Sequence, residues 1–208
     1  MIDAKTTAAI RDYAARAVEE KLYGSGDVIA MRTKNGFVVN DGCALSEIDD
    51  SRLIEVAAGD TRPEYALLTA LFAAREDINA VMITHPAYVC AAARAKVTIP
   101  AVVDDMAQIV GVNCKTSRSD SVSDVLAAMK GRNSCLIAGG GALTTGRTLD
   151  EAYTCALVLD KAAHVYICGS AIGGCRIINT LEAKLMRFVY KKKYSKTNQK
   201  NISEREGD

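Results

Sequence analysis

The sequence has very little histidine: two in 208 residues, His85 and His164. A metal centre built from three histidines is therefore beyond a single copy of the chain. It also lacks a charge excess. Lys plus Arg is 26 against 25 for Asp plus Glu, so a net charge of +1 provides no global field for nucleic acid or an anionic membrane. No CxxC pair occurs among the seven cysteines, Cys43, Cys90, Cys114, Cys135, Cys155, Cys168 and Cys175, and each reads as a small buried hydrophobe in an apolar stretch. No apolar run approaches the roughly 18 residues of a membrane span, and the first twenty residues alternate charge and Ala as an amphipathic helix does. The expected location is cytoplasmic, where thiols stay reduced. What is present is 49% hydrophobic and 25% charged residues, enough for one domain with a sizeable core.

Ile10, Ala14, Ala17 and Leu22 recur at helical spacing and predict a helix over residues 3–22, stopped by Gly24-Ser25-Gly26-Asp27. Two short strands, 28–31 and 37–39, flank Lys34-Asn35-Gly36, whose Asn-Gly pair is a hairpin signal. Thr61 and Glu64 have capping-box spacing at the start of a helix to about residue 75. A strand at 80–83 runs into Thr84-His85-Pro86 and a further helix over 88–95. Ser121 opens the next helix, and the apolar strand 135–138 ends in Gly139-Gly140-Gly141. Thr148 and Glu151 form a second capping box for a long helix striped with Leu149, Tyr153, Ala156, Leu159, Ala163 and Tyr166. Strands mixed with helices, plus a hairpin, argue α/β or α+β rather than a purely parallel sheet. Residues 1–178 read as one domain and 179–194 as a C-terminal helix capped by Asn179. Residues 195–208 hold too little apolar surface to offset their ordering entropy, so a mobile tail is expected.

In order along the chain, four pieces resemble the class II aldolase and adducin head-domain family. They are Gly24-Ser25-Gly26 before a strand ending in Arg32, Pro63-Glu64 before a helix and Asp77-Ile78-Asn79, Thr84-His85-Pro86-Ala87-Tyr88 after a strand, and Gly141 to Gly146 leading into Thr148-Leu149-Asp150-Glu151. The resemblance covers about Ala4 to Gly174 and implies a three-layer fold with a central mixed, largely antiparallel sheet flanked by helices. It also implies a divalent metal, usually zinc, held by three histidines, with a glutamate moving a proton during aldol cleavage of a sugar phosphate. Glu64 matches that glutamate. Of the metal ligands only His85 matches, because Ile83 and Gly140 stand where the other two belong. The anion-binding residues are replaced as well: Val28 and Ala30 stand where amide and hydroxyl donors are expected, and Val39-Asn40-Asp41-Gly42 keeps only its glycine. Gly26, Gly42 and Arg62 remain as weak anion-binding candidates.

These departures imply a family member that has lost the metal-dependent reaction, with no cofactor, acting as a non-catalytic binding or assembly module. The alternative is a divergent aldolase or epimerase using Glu64 and His85, with zinc at a site rebuilt with Asp104 or Asp105. The resemblance further implies a homo-oligomer, dimer or tetramer, or a hetero-oligomer with an active paralogue, and no nucleic-acid or membrane partner. Plain explanations stand beside each residue. Glu64 reads as a capping residue, His85 as a cap or a hydrogen-bonded buried imidazole, and His164 as a packed or surface residue. Asp104-Asp105 reads as an exposed turn, Gly139 to Gly141 as a strand end rather than an anion nest, and Lys191 to Lys193 as a solvated helix end. Tyr190 and Tyr194 are the residues a C-terminal segment would offer to a neighbouring subunit.

Overall fold

The computed structural model describes the backbone of residues 2–205 and the side chains of residues 2–192. Six strands form one sheet in the order β3-β2-β1-β4-β8-β7. They are β1 (Val28–Thr33), β2 (Gly36–Asn40), β3 (Leu53–Ala57), β4 (Ala80–Thr84), β7 (Ser134–Leu136) and β8 (Ala142–Gly146). Every pair of neighbours is antiparallel. The hairpin signalled by the Asn-Gly pair forms, but the turn is Lys34-Asn35, and Gly36 already pairs with Thr33 as the first residue of β2. A lone parallel bridge, Thr116 to Leu136, lies along the outer side of β7. The short strands β5 (Ile99–Pro100) and β6 (Asn113–Cys114) pair separately.

Strand periodicity sends alternate residues to opposite faces. On one face Ala30, Val39, Val81, Ile83, Cys135 and Leu143 pack with Leu68, Leu71 and Phe72 of α2 (Ala66–Ala74) and Val125 and Met129 of α4 (Val122–Met129). On the other, Ile29, Val38, Ala80 and Met82 pack against Ile10, Ala14 and Ala17 of α1 (Ala4–Glu19) and Leu149, Ala152 and Ala156 of α5 (Leu149–Ala171). A third cluster joins α5 to α3 (Ala87–Arg94), with Val89, Ala92, Leu159 and Ala163 among its members. Each fully buried Val, Leu, Ile, Met or Phe side chain contributes about 1.5–3 kcal/mol.

Helix starts follow local capping chemistry. Asp3 accepts from the Thr6 amide at α1, and Ser121 from the Asp124 amide at α4. At α5 Thr148 accepts from the Glu151 amide, while Glu151 accepts from the Arg147 amide at 2.8 Å. The capping box expected at Thr61 and Glu64 is not made. Arg62 is instead the N-cap of a short 3₁₀ turn, Pro63–Tyr65, without a side-chain cap. Asp60 takes the Arg62 amide and guanidinium, which redirects the chain before Thr61 can cap anything.

The C-terminal helix α6 (Thr180–Arg205) runs beyond the expected end at residue 194. Its polar residues are mostly helix-tolerant Lys, Gln, Asn and Glu, with no Gly or Pro before Gly207, so nothing in the sequence breaks it. The last three positions of the expected tail, 206–208, lie outside the described residues, as do the side chains of Lys193 and Tyr194. Cys43, Cys114, Cys135 and Cys155 are buried as expected, but Cys168 is exposed and Cys90 and Cys175 are only half-buried. Cys168 falls on the exposed side of α5 near its C-terminus. Among the described residues no helix is long and apolar enough to cross a membrane.

Asp160 on α5 faces the first turn of α3. Its Oδ1 is buried without a hydrogen-bond partner, and burial raises its carboxyl above the usual range, opposed by nearby His164 and the Val89 amide. His164 itself stacks on Tyr88 with ring centroids 3.9 Å apart. A folded-state pKa above the unfolded value means that the ionised form disfavours folding. Asp160 therefore costs stability at neutral pH, and that cost fades as pH falls through the raised pKa. Asp160→Asn is expected to gain up to about 1 kcal/mol at pH 7 and nothing near pH 4, measured by urea denaturation at both pH values.

Candidate functional site

The register places the expected metal positions. Ile83 lies between Val28 of β1 and Leu143 of β8, and Thr84 pairs with Ala142, so His85 emerges just past the sheet beside Gly141. The Ile83 side chain belongs to the apolar layer shared with α2 and α4, and Gly140 lies in the turn before β8. His85 is 22% exposed at the side chain, and its Nδ1 is 2.8 Å from Oδ1 of Asp27, whose side chain is fully buried. A carboxylate only accepts, so this bond puts the ring proton on Nδ1. The Oδ2 of Asp27 accepts from the Gly24 amide at 2.7 Å. Asn40, also buried, braces the turn by donating to the Asp27 carbonyl and accepting from the Ile29 amide.

Two glycines make room for the ring. A Cβ on Gly141, where φ is +79°, would come 2.6 Å from Nε2, and one on Gly24 would come 2.7 Å from the His85 Cβ and 2.8 Å from its carbonyl. Gly139 to Gly141 lie in the turn that leads into β8. The Gly140 amide donates to the Ile137 carbonyl and the Ile137 amide to the Gly141 carbonyl, which spends these groups in a turn.

The other sequence candidates do not gather here. Glu64 is exposed on the 3₁₀ turn, and no hydrogen bond or ion pair between described residues joins it to His85. Arg62 is bound to Asp60 through both carboxylate oxygens and lies over the Tyr65 ring at 4.5 Å. A Cβ on Gly26 would come 3.9 Å from the His85 ring, whereas one on Gly42 would meet nothing within 4 Å. Asp104 and Asp105 are exposed, and Asp105 pairs with Lys161 of α5 at 3.1 Å. Burial pushes the Cys114 and Cys155 thiols up to about 12, so both are protonated and inert at neutral pH.

The residues present do not fit a catalytic zinc. Such a site needs three protein ligands around an open position. Here Ile83 and Gly140 have no donor atom, the Asp27 carboxylate already holds Nδ1 of His85, and Nε2 abuts Gly141. Among the described residues no three or more His, Cys, Asp or Glu side chains are placed to hold a metal ion.

Comparison with known proteins settles the lineage. The family model for the class II aldolase and adducin N-terminal domain matches residues 6–167, more than half of the chain. The chain belongs to this family. Among solved structures, an L-fuculose 1-phosphate aldolase superimposes with a TM-score of 0.86 at 20% identity, covering 92% of this chain and 98% of that one. The L-fuculose 1-phosphate aldolase from Glaciozyma antarctica PI12 gives 0.74 at 20% identity, covering 88% and 79%. YgbL from Klebsiella pneumoniae, described as a putative aldolase/epimerase/decarboxylase, gives 0.76 at 17% identity, covering 90% and 100%. No curated protein matches in sequence. At these identities the superpositions establish the class II aldolase fold. The mixed, largely antiparallel sheet expected from the sequence is the one observed.

The sequence does not point to Asp27, which reads as part of a glycine-rich helix stop; the fold makes it the buried carboxylate that orients His85, the histidine at a family ligand position.

Proposed function

We propose that this family member has lost metal-dependent aldol cleavage and serves as a non-catalytic binding or assembly module. The observation that carries the reading is the fate of the three ligand positions: one side chain within an apolar layer, one glycine in a closed turn, and one imidazole tied to Asp27. Without a metal to polarise the substrate oxygens, several kcal/mol of stabilisation of an enediolate is missing, and an exposed Glu64 offers no substitute. No resident cofactor is part of this function.

Helix α6 supports the assembly side of the proposal. Leu181, Leu185 and Phe188 lie at helical spacing and are 77%, 62% and 65% exposed. An apolar stripe of this kind on a surface helix marks a contact with another chain. Self-association as a dimer or tetramer in the cytoplasm is the form proposed. Nucleic acid and membranes are not among the partners, in keeping with the net charge of +1.

The Asp27–His85 pair favours a second reading, a divergent lyase or epimerase in which His85 and Glu64 move protons. A buried carboxylate on Nδ1 is the arrangement that orients a general base. One experiment separates the two. Protein grown with zinc supplementation is desalted, its metal content measured, and its cleavage or epimerisation of a panel of sugar phosphates assayed beside Glu64→Gln. The proposal expects substoichiometric metal and no turnover in either protein. Stoichiometric zinc, or turnover abolished by Glu64→Gln with the fold intact, would overturn it. Sedimentation of the wild type and of a Leu185→Glu, Phe188→Glu double variant tests assembly: the wild type is expected above monomer mass and the variant at monomer mass. Recovery of a second family member from the native source would replace self-association with hetero-assembly.

A further inference from the structure

A cavity of about 240 Å³ lies at the end of the sheet opposite His85. The register fixes this: Gly146, which lines it, pairs with Ala80 at the start of β4, while Ala142 pairs with Thr84 next to His85. Its floor is Ile78, Ile109 and Cys155, and α6 closes one side with Tyr190 and Lys191.

The charges around it are uneven. Two carboxylates face it, and both are engaged. Asp77 is held by both nitrogens of the Arg75 fork, at 2.6 and 2.8 Å, and Glu151 by Arg147 at 2.7 Å. Arg187, one turn before Lys191 on α6, is half-buried and donates to the Ile109 carbonyl at 2.9 Å. Among the described residues neither Arg187 nor Lys191 has a carboxylate within ion-pair distance. Partial desolvation at the cavity rim, then the charge of Arg187, lowers the Lys191 amine below the ordinary lysine value, with Asp77 opposing and Arg75 and Arg147 adding to the effect. Cations that repel one another beside a cavity are relieved by an anion placed between them. Gln108 and Asn133 supply neutral polar groups on the lining.

Size limits the guest. A cavity of 150 Å³ accommodates benzene, so 240 Å³ suits roughly ten non-hydrogen atoms. With Arg75 and Arg147 paired to carboxylates, Arg187 and Lys191 are the two cations to balance, and a monoanion would balance only one of them. We propose that this cavity binds a small organic dianion, held by Lys191 and Arg147 in the field of Arg187, with its carbon skeleton against Ile78 and Ile109. A phosphomonoester and a dicarboxylate share this chemistry. The site is separate from the His85 end, and its fate is independent of whether that end is catalytic.

The test is titration calorimetry on the full chain at constant ionic strength, with glycerol 2-phosphate, succinate and neutral glycerol as probes. Saturable binding of one or both dianions is expected, with no binding of glycerol. The probe that binds more tightly identifies the phosphate or dicarboxylate class. Lys191→Glu, an exposed position whose thermal midpoint is checked alongside, is expected to weaken binding by about tenfold or more. His85→Asn is expected to leave affinity within about twofold. Raised salt should weaken binding by screening. Absence of saturable heat from both dianions overturns the inference, as does binding that survives Lys191→Glu or is lost in His85→Asn.

Discussion

Asp27→Ala is expected to cost about 3 kcal/mol of folding stability, read as a lowered urea midpoint with an unchanged slope. The side chain is fully buried and serves two donors, Nδ1 of His85 and the Gly24 amide. Removing it leaves both half-buried donors without their acceptor. The backbone contribution of Asp27, its carbonyl bond from Asn40, survives the substitution, so the loss isolates the carboxylate. Asp27→Asn keeps an acceptor for one of the two donors and is expected to lose about half as much. If Asp27→Ala matched the wild type within about 0.5 kcal/mol, the carboxylate would have no structural role. The asymmetric loss between Ala and Asn is what separates a hydrogen-bonding role from simple space filling.

Gly141→Ala is the second large effect, also about 3 kcal/mol. Part is backbone: φ is +79°, a left-handed conformation costing an L-residue about 1–2 kcal/mol. The rest is steric, since the new methyl would sit 2.6 Å from Nε2 and 2.7 Å from Cδ2 of His85 and 3.1 Å from the Thr84 carbonyl. The ring contacts disappear if the ring does. A double-mutant cycle with His85→Ala is therefore expected to show about 1–2 kcal/mol of favourable coupling, leaving the backbone part uncorrected. Gly24→Ala provides the contrast. Its clash is with the His85 Cβ and carbonyl, atoms that His85→Ala retains, so that pair should show little coupling.

Much of this geometry was legible before any coordinates. The hairpin at Asn35-Gly36, the caps at Ser121 and Thr148 and the stripe of α5 are local signals, decided by residues a few positions apart, and local physics reproduces them. The places of His85, Ile83 and Gly140 were legible for a different reason, the colinear motifs of the family. Three things were not. Asp27 and His85 are 58 positions apart and meet only because β1 and β4 are neighbours in the sheet. Strand β8 carries Ala, Leu, Thr, Thr and Gly, a mixture of small and polar residues without alternation, and is a strand because both faces are covered. The expected cap at Glu64 is not made: the turn starts at Arg62, whose amide and guanidinium are held by Asp60, a residue outside the four-residue motif. The cavity under α6 draws its lining from the approach to β4, the segment around Gln108, the start of β7, the end of β8, α5 and α6. No short window of sequence contains it.

The lone parallel bridge beside β7 bears on how copies of this protein can meet. The segment around Thr116 takes the outward backbone groups of Leu136, with the Leu136 amide donating to the Lys115 carbonyl and the Ser117 amide to the Leu136 carbonyl. One rim of the sheet is thereby sealed. The opposite rim, β3, is only five residues long and places Glu55 among them. Neither rim offers the long, flat, uncharged template on which strands of separate molecules add to one another. The fold thus steers self-association away from sheet extension and toward its helical surfaces. An assembly formed there should stay finite and reversible, and should not grow into fibres.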